Sequence, residues 1–127
     1  MKKVLVMDDD KYLTDDLKEF FEFEQIPIEV VNTADEMLEK LESVDSYQAV
    51  VLDIMMRKGS HLAGNEGDET GELIYRKLRE KAPDLEVVIL SAKEKSDVHV
   101  NFDHPNTDYV SKPVGTNIEQ LISYVSG

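Results

Sequence analysis

The sequence contains no cysteine. That absence excludes disulfides, thiol nucleophiles and cysteine-ligated metals, and it makes the cytoplasm the expected location. No apolar run approaches the ~20 residues that cross a bilayer, so no membrane span is expected. Cations are scarce: 14 Lys and Arg stand against 27 Asp and Glu, for a formal net charge of −13. Such a field repels DNA and anionic lipid except at a local basic patch, and none of useful size is present, so no direct nucleic-acid binding is expected. Most of that charge serves solubility. The chain opens Met1-Lys2-Lys3 and passes at once into strand-like residues, so no secretory leader is expected. At 127 residues it is expected to be a single domain.

What is present is an alternation of apolar runs and helical periods. Val4 to Met7 reads as a strand; Leu13, Leu17, Phe20 and Phe21 then recur at helical spacing, predicting a helix from about Lys11 to Glu24 that Pro27 breaks. Ile28 to Val31 is a second strand. Thr33 is placed to cap the next helix, with Glu36 completing a capping box and Ala34, Met37, Leu38 and Leu41 forming its stripe. Ala49 to Leu52 is unbroken apolar sequence, as a central parallel strand should be. A long unpatterned segment, Arg57 to Gly71, precedes a helix that resumes near Thr70, buries Leu73, Ile74 and Leu78 and ends before Pro83. Val87 to Leu90 is a fourth strand, Tyr109 to Val110 a short fifth, and Ile118, Leu121, Ile122 and Val125 stripe the last helix. Five strands alternating with about five helices predict an α/β fold, a doubly wound parallel sheet covered on both faces.

The acidic residues are arranged against that frame. Asp8, Asp9 and Asp10 follow the first strand and Asp53 ends the third. If those strands are neighbours, the carboxylates meet at one sheet edge, where two unit charges about 4 Å apart repel by roughly 4 kcal/mol at an effective dielectric near 20. Such a cluster must take up a proton or a metal. Ser91 and Lys112 also fall at strand ends, and ligands in these sheets bind beyond the carboxyl ends near the switch in strand order. Asp10 reads as the cap of the first helix. His61, His99 and His104 lie without ligand spacing and are expected at the surface, and the acidic face of the first helix (Asp15, Asp16, Glu19) is expected to be solvated.

Four segments, in this order, carry a resemblance: Val4-Leu5-Val6-Met7-Asp8-Asp9-Asp10, Val51-Leu52-Asp53-Ile54-Met55-Met56, Val88-Ile89-Leu90-Ser91-Ala92 and Asp108-Tyr109-Val110-Ser111-Lys112-Pro113. The chain resembles, over its whole length, the CheY-like receiver domain of two-component response regulators. The resemblance implies a flavodoxin-like (βα)5 sheet with strand order 2-1-3-4-5. It implies that Asp53 is the phosphoacceptor, that Asp8, Asp9, Asp53 and the backbone carbonyl of Met55 hold Mg²⁺, and that Lys112 pairs with the acceptor and then with phosphoryl oxygens. It places Ser91 at the hydroxyl that meets the phosphoryl group, and Ser91 with Tyr109 as the switch pair. It implies that Lys112 precedes Pro113 through a peptide that is often cis. General chemistry is consistent with these roles: Mg²⁺ takes hard oxygen ligands, and an ammonium and a hydroxyl can stabilise charge on the equatorial oxygens of a transferring phosphoryl group.

The sequence departs from the family in two places. Arg57 stands where proline is common in the family and about ten extra residues follow; the expectations are that Arg57 or Lys58 touches the phosphoryl group, that the loop covers the site, or that it is a disordered excursion. Lys93 to Thr107, with Pro105, is expected to give a short or irregular helix, and the resemblance places Lys93 at a position that flanks the attacking water in this family.

The expected function is that of a receiver domain accepting a phosphoryl group from a sensor histidine kinase or a histidine phosphotransfer protein. It would lose that group by self-catalysed hydrolysis and signal to a downstream protein target, as a monomer or weak dimer. No output domain is evident, so no direct transcriptional role is expected. One alternative is a pseudo-receiver that docks without phosphorylation. A second, a haloacid-dehalogenase-like phosphatase, needs a hydroxyl residue four positions after its nucleophile, where this chain has Tyr12 after Asp8 and Leu13 after Asp9. A flavodoxin-like FMN carrier would need a phosphate loop rich in Ser, Thr and Gly after the first strand, where aspartates stand.

Overall fold

The computed structural model describes residues 2–53, 69–91, 105–112 and 117–126. Five strands, β1 (Val4–Met7), β2 (Ile28–Val31), β3 (Ala49–Asp53), β4 (Glu86–Ser91) and β5 (Thr107–Ser111), pair in parallel in the order 2-1-3-4-5. Four helices are described: α1 (Lys11–Phe23), α2 (Ala34–Lys40), α3 (Glu69–Lys81) and α4 (Ile118–Val125). A 3₁₀ segment, Leu41–Ser46, continues from α2 and buries Leu41 and Val44. The expected Arg57–Gly71 excursion lies largely outside the described residues, and so does the irregular helix expected within Lys93–Thr107.

The core has two layers, one on each side of the sheet. Period two sends Leu5, Met7, Val50, Leu52, Val87 and Ile89 toward α2, the 3₁₀ segment and α3. It sends Val4, Val6, Ala49, Val51, Val88, Leu90 and Val110 toward α1 and α4, against Leu17, Phe21, Leu121 and Val125. Each fully buried side chain of this size contributes about 1.5–3 kcal/mol relative to exposure. Leu13, Leu38, Leu73, Ile118 and Ile122 are only partly buried at the margins of these layers. Phe20 departs from expectation. It stands 42% exposed, because its helical angle turns it off the stripe that Leu17 and Phe21 occupy. β5 is also longer than expected, since an edge strand needs only ladder pairing with β4, which Thr107 and Asp108 supply despite their polarity.

Local chemistry sets the helix ends. The Asp10 carboxylate accepts from the amides of Tyr12 and Leu13 at 3.0 and 3.2 Å, starting α1. α1 ends before Pro27, on a left-handed residue that is not glycine: Gln25 has φ of 61°. Its amide donates to Glu22 at 3.0 Å and that of Ile26 to Phe21 at 2.8 Å, the paired bonds of a Schellman turn, with Ile26 and Phe21 in the same apolar layer. The capping box of α2 forms as expected in its first half, Thr33 Oγ1 accepting from the Glu36 amide at 3.1 Å. The Glu36 carboxylate accepts from the Asn32 amide and the Thr33 hydroxyl.

The amino ends of the strands are tied by polar networks. Glu29 accepts from the Tyr47 hydroxyl at 2.7 Å and meets Lys40 at 2.8 Å, and these two partners hold its carboxyl below the usual range. The Arg79 guanidinium donates to the carbonyls of Pro83, Leu85 and Asn106, to the Thr107 hydroxyl and to the Tyr75 hydroxyl, tying α3 to the starts of β4 and β5. Beside this network, burial and then the neighbouring Asp108 push the Glu86 carboxyl up to about 8.

Two stability predictions follow from these ends. Gln25→Gly relieves the Cβ conflict of the left-handed position and should raise stability by about 0.5–1 kcal/mol. In urea titrations its midpoint should rise with no change in slope. Glu86 binds its proton more tightly folded than unfolded, so its contribution is present at low pH and lost as pH rises from about 4.5 to about 8. Stability of Glu86→Gln minus that of the parent should therefore climb across this window; a flat difference would refute the assignment.

Candidate functional site

The strand order reverses direction between β1 and β3, and the crevice beyond their carboxyl ends is where such sheets present ligands. Met7 is opposite Leu52 in the β1–β3 ladder, so Asp8 and Asp53 occupy equivalent positions one step further on. Alternation carries both to the α1–α4 side, in phase with Val6 and Val51, and carries Lys112 there in phase with Val110. Three residues distant in sequence thus face one another because three strands share one register.

Asp8 is fully buried and Asp53 is 2% exposed, while Asp9 is partly open to solvent. One carboxylate oxygen from each of Asp8, Asp9 and Asp53 lies within 4.8 Å of the others. Lys112 Nζ stands 3.0 Å from Asp8 Oδ2 and 3.6 Å from Asp53 Oδ1. Burial by itself lowers the Lys112 pKa, but the charges of Asp53 and Asp8 outweigh it and hold the ammonium above its ordinary value. Among the described residues, three carboxylates face one ammonium here, a formal charge of two negative.

The backbone fixes these groups. Asp8 continues the β1–β2 ladder through its amide, which donates to the Val31 carbonyl at 3.2 Å. Asp8 Oδ1 accepts from the Asp10 amide at 2.9 Å. Its other oxygen, Oδ2, is buried, and the Lys112 ammonium 3.0 Å away is its charged partner. The Lys112 amide donates to the Ser91 carbonyl at 2.9 Å, holding the lysine at the end of β4. Ser91 is fully buried, and alternation puts its side chain on the α2–α3 side together with Tyr109, which packs partly buried against that layer.

A divalent cation fits this donor set. The ligands are hard oxygens, those of Asp8 and Asp53 are buried, and Asp9 leaves an open side for water. The structure therefore brings Asp8, Asp9, Asp53 and Lys112 into one cluster, with Ser91 joined to it through the backbone. Met55 and Pro113 lie outside the described residues, as do Arg57, Lys58, Lys93 and the three histidines. Sequence reasoning missed Asn32, whose side-chain amide donates to the Asp8 carbonyl at 2.8 Å. The available signal was an amide residue directly after the second strand, at the same sheet edge as the acids.

A family model described as the response regulator receiver domain matches residues 4–126. The chain belongs to this family. It is 30% identical over 122 residues to the response regulator MprA of Mycobacterium ulcerans, covering 95% of this chain and 47% of that protein. It therefore spans about half the length of the curated relatives it matches. Among solved structures, a response regulator receiver domain protein from Clostridium thermocellum superposes with a TM-score of 0.75 at 20% identity, covering 99% of this chain and 92% of that one. TrrA of Thermotoga maritima, solved in complex with Mg²⁺-BeF, superposes at 0.69 with 25% identity, covering 98% and 99%. No helix among the described residues is long and apolar enough to cross a membrane.

Removing the ammonium tests the electrostatics directly. Lys112→Met strands two buried carboxylates and should cost about 3 kcal/mol in urea unfolding with a chelator present, the low end of the penalty for halving a buried pair. An unchanged midpoint would show that Lys112 does not compensate them.

Proposed function

We propose that this receiver domain, a single folding unit, accepts a phosphoryl group on Asp53 from a phosphohistidine of a sensor histidine kinase or phosphotransfer protein. The observation that carries this reading is one cluster: carboxylate oxygens of Asp8, Asp9 and Asp53 within 4.8 Å of each other, faced by one ammonium. Membership of the receiver family and the Mg²⁺-BeF complex of TrrA support it.

Asp8, Asp9 and Asp53 would hold Mg²⁺, with the Met55 carbonyl as a further ligand. The ion, when bound, supplies positive charge that screens the carboxylates from an incoming phosphoryl group. The chain's own residues do the rest. An Asp53 carboxylate oxygen attacks phosphorus, the phosphorus–nitrogen bond of the donor breaks, and the imidazole leaves with its electron pair and is reprotonated from solvent. Lys112, 3.6 Å from Asp53 Oδ1, is within a small displacement of the oxygens that gain charge. Ser91 stands one residue past Leu90, the ladder partner of Asp53, so its buried hydroxyl would reach the phosphoryl group around the end of the sheet. Its shift opens room on the α2–α3 side for Tyr109, which converts a charge change at the sheet edge into a change of surface.

Water attack on the acyl phosphate returns Asp53 to the free carboxylate. The group is a reversible mark, and the domain is no conventional turnover enzyme. The domain acts in the cytoplasm, as a monomer or weak dimer, by docking to a downstream protein. Exposed Tyr12 and Phe23 on α1 give protein partners apolar contacts.

Incubation with a small phosphodonor and Mg²⁺ should add one phosphate by intact mass, and none when Mg²⁺ is chelated or in Asp53→Ala. Full labelling of Asp53→Ala would overturn the assignment, and absence of labelling in the parent would favour a docking module that works unphosphorylated.

A further inference from the structure

We infer that Asn32 is a positioning residue for the acidic pocket, its side-chain amide fixing the Asp8–Asp9 peptide and so the place of the Asp9 carboxylate. The inference rests on the reading of Asp8, Asp9 and Asp53 as a divalent-cation site.

Asp9 is the weak point of that site. Asp8 and Asp53 are held by burial, but Asp9 is partly exposed and its carboxylate faces two like charges. Repulsion of a few kcal/mol at such spacing favours its swinging into water. The orientation of the peptide joining Asp8 to Asp9 works against the swing. The carbonyl of that peptide accepts from Asn32 Nδ2 at 2.8 Å. With the Asp8 amide on Val31 and Asp8 Oδ1 on the Asp10 amide, the turn is gripped on three sides. Of these three bonds, only the one from Asn32 controls the peptide that leads directly into Asp9.

Asn32 is itself held in place. Its backbone amide donates to Glu36 Oε1 at 3.3 Å, within the capping arrangement of α2, and its side chain also donates to the buried Thr14 hydroxyl at 3.3 Å. The start of α2, the end of β2 and the start of α1 thus converge on one carbonyl. Groups behind metal ligands orient those ligands in this way, and losing them costs about 10–100-fold in metal affinity.

The test is Mg²⁺ titration followed by amide chemical shifts, with no phosphodonor present. Asn32→Leu keeps the bulk and removes the donor, and should weaken Mg²⁺ binding about tenfold. Thr14→Val removes the hydroxyl that the Asn32 side chain also meets but leaves the Asp8 carbonyl bond, and should stay within about twofold of the parent. Should Asn32→Leu fail to fold, Asn32→Ala is the substitute, with the same expectation. Binding by the Asn32 variant within about twofold of the parent overturns the inference. Equal weakening by the Asn32 and Thr14 variants overturns it too, because Asn32 would then act through general stability. Failure of the parent itself to bind Mg²⁺ is a separate result, which removes the cation-site reading and the inference with it.

Discussion

Like charges held at one sheet edge are the constraint on which the rest of this structure turns. The parallel register that aligns Met7 with Leu52 carries Asp8 and Asp53 to the same height and the same side, one residue beyond two apolar runs. Neither carboxylate can retreat into water, because both are buried. The fold therefore requires a positive charge at that point, and Lys112 supplies one, in phase with Val110 on the edge strand. Among the described residues, one ammonium against three acids leaves an excess of negative charge at this edge, a field of the sign that attracts cations.

A cluster of this kind is a source of instability that the surrounding structure must offset. Its neighbours show where the compensation lies. Besides the Lys112 ammonium, the described partners of Asp8 are backbone groups or bonds to one: the Val31 carbonyl, the Asp10 amide and the Asn32 side-chain amide. Backbone bonds in a buried ladder resist rearrangement better than a pair of long side chains, which gain little in high dielectric and lose rotamer freedom. The acids are thereby held close by the backbone around them.

Much of this was legible in the sequence, for identifiable reasons. Two unbroken apolar runs, Val4 to Met7 and Ala49 to Leu52, read as central strands, and as neighbours they bring the acids that end them to one edge. Counting by two along each strand would also have shown that Asp8, Asp53 and Lys112 point one way and Ser91 and Tyr109 the other. Other features carried no local signal. Gln has no preference for the left-handed region, so the turn at Gln25 was hidden behind the plainer mark of Pro27. Arg79 reads as a solvated helix residue; its role comes from three carbonyls and two hydroxyls that only the tertiary fold brings within reach. Phe20 counts as apolar in any periodicity, yet its angle on α1 turns it outward.

The two ends of the sheet are built on opposite principles. At the amino end, charges are matched: Glu29 with Lys40, and Arg79 with a ring of acceptors. Glu86, with its carboxyl pushed up to about 8, relieves its own mismatch by keeping a proton through neutral pH. At the carboxyl end, charges among the described residues are uneven, with three acids in one cluster. Lys112, 3.0 Å from Asp8 and 3.6 Å from Asp53, offsets part of that charge. Local rules of consistency hold at the end that stabilises the fold and are broken at the end where chemistry is available, which is how stability and function divide one sheet between them.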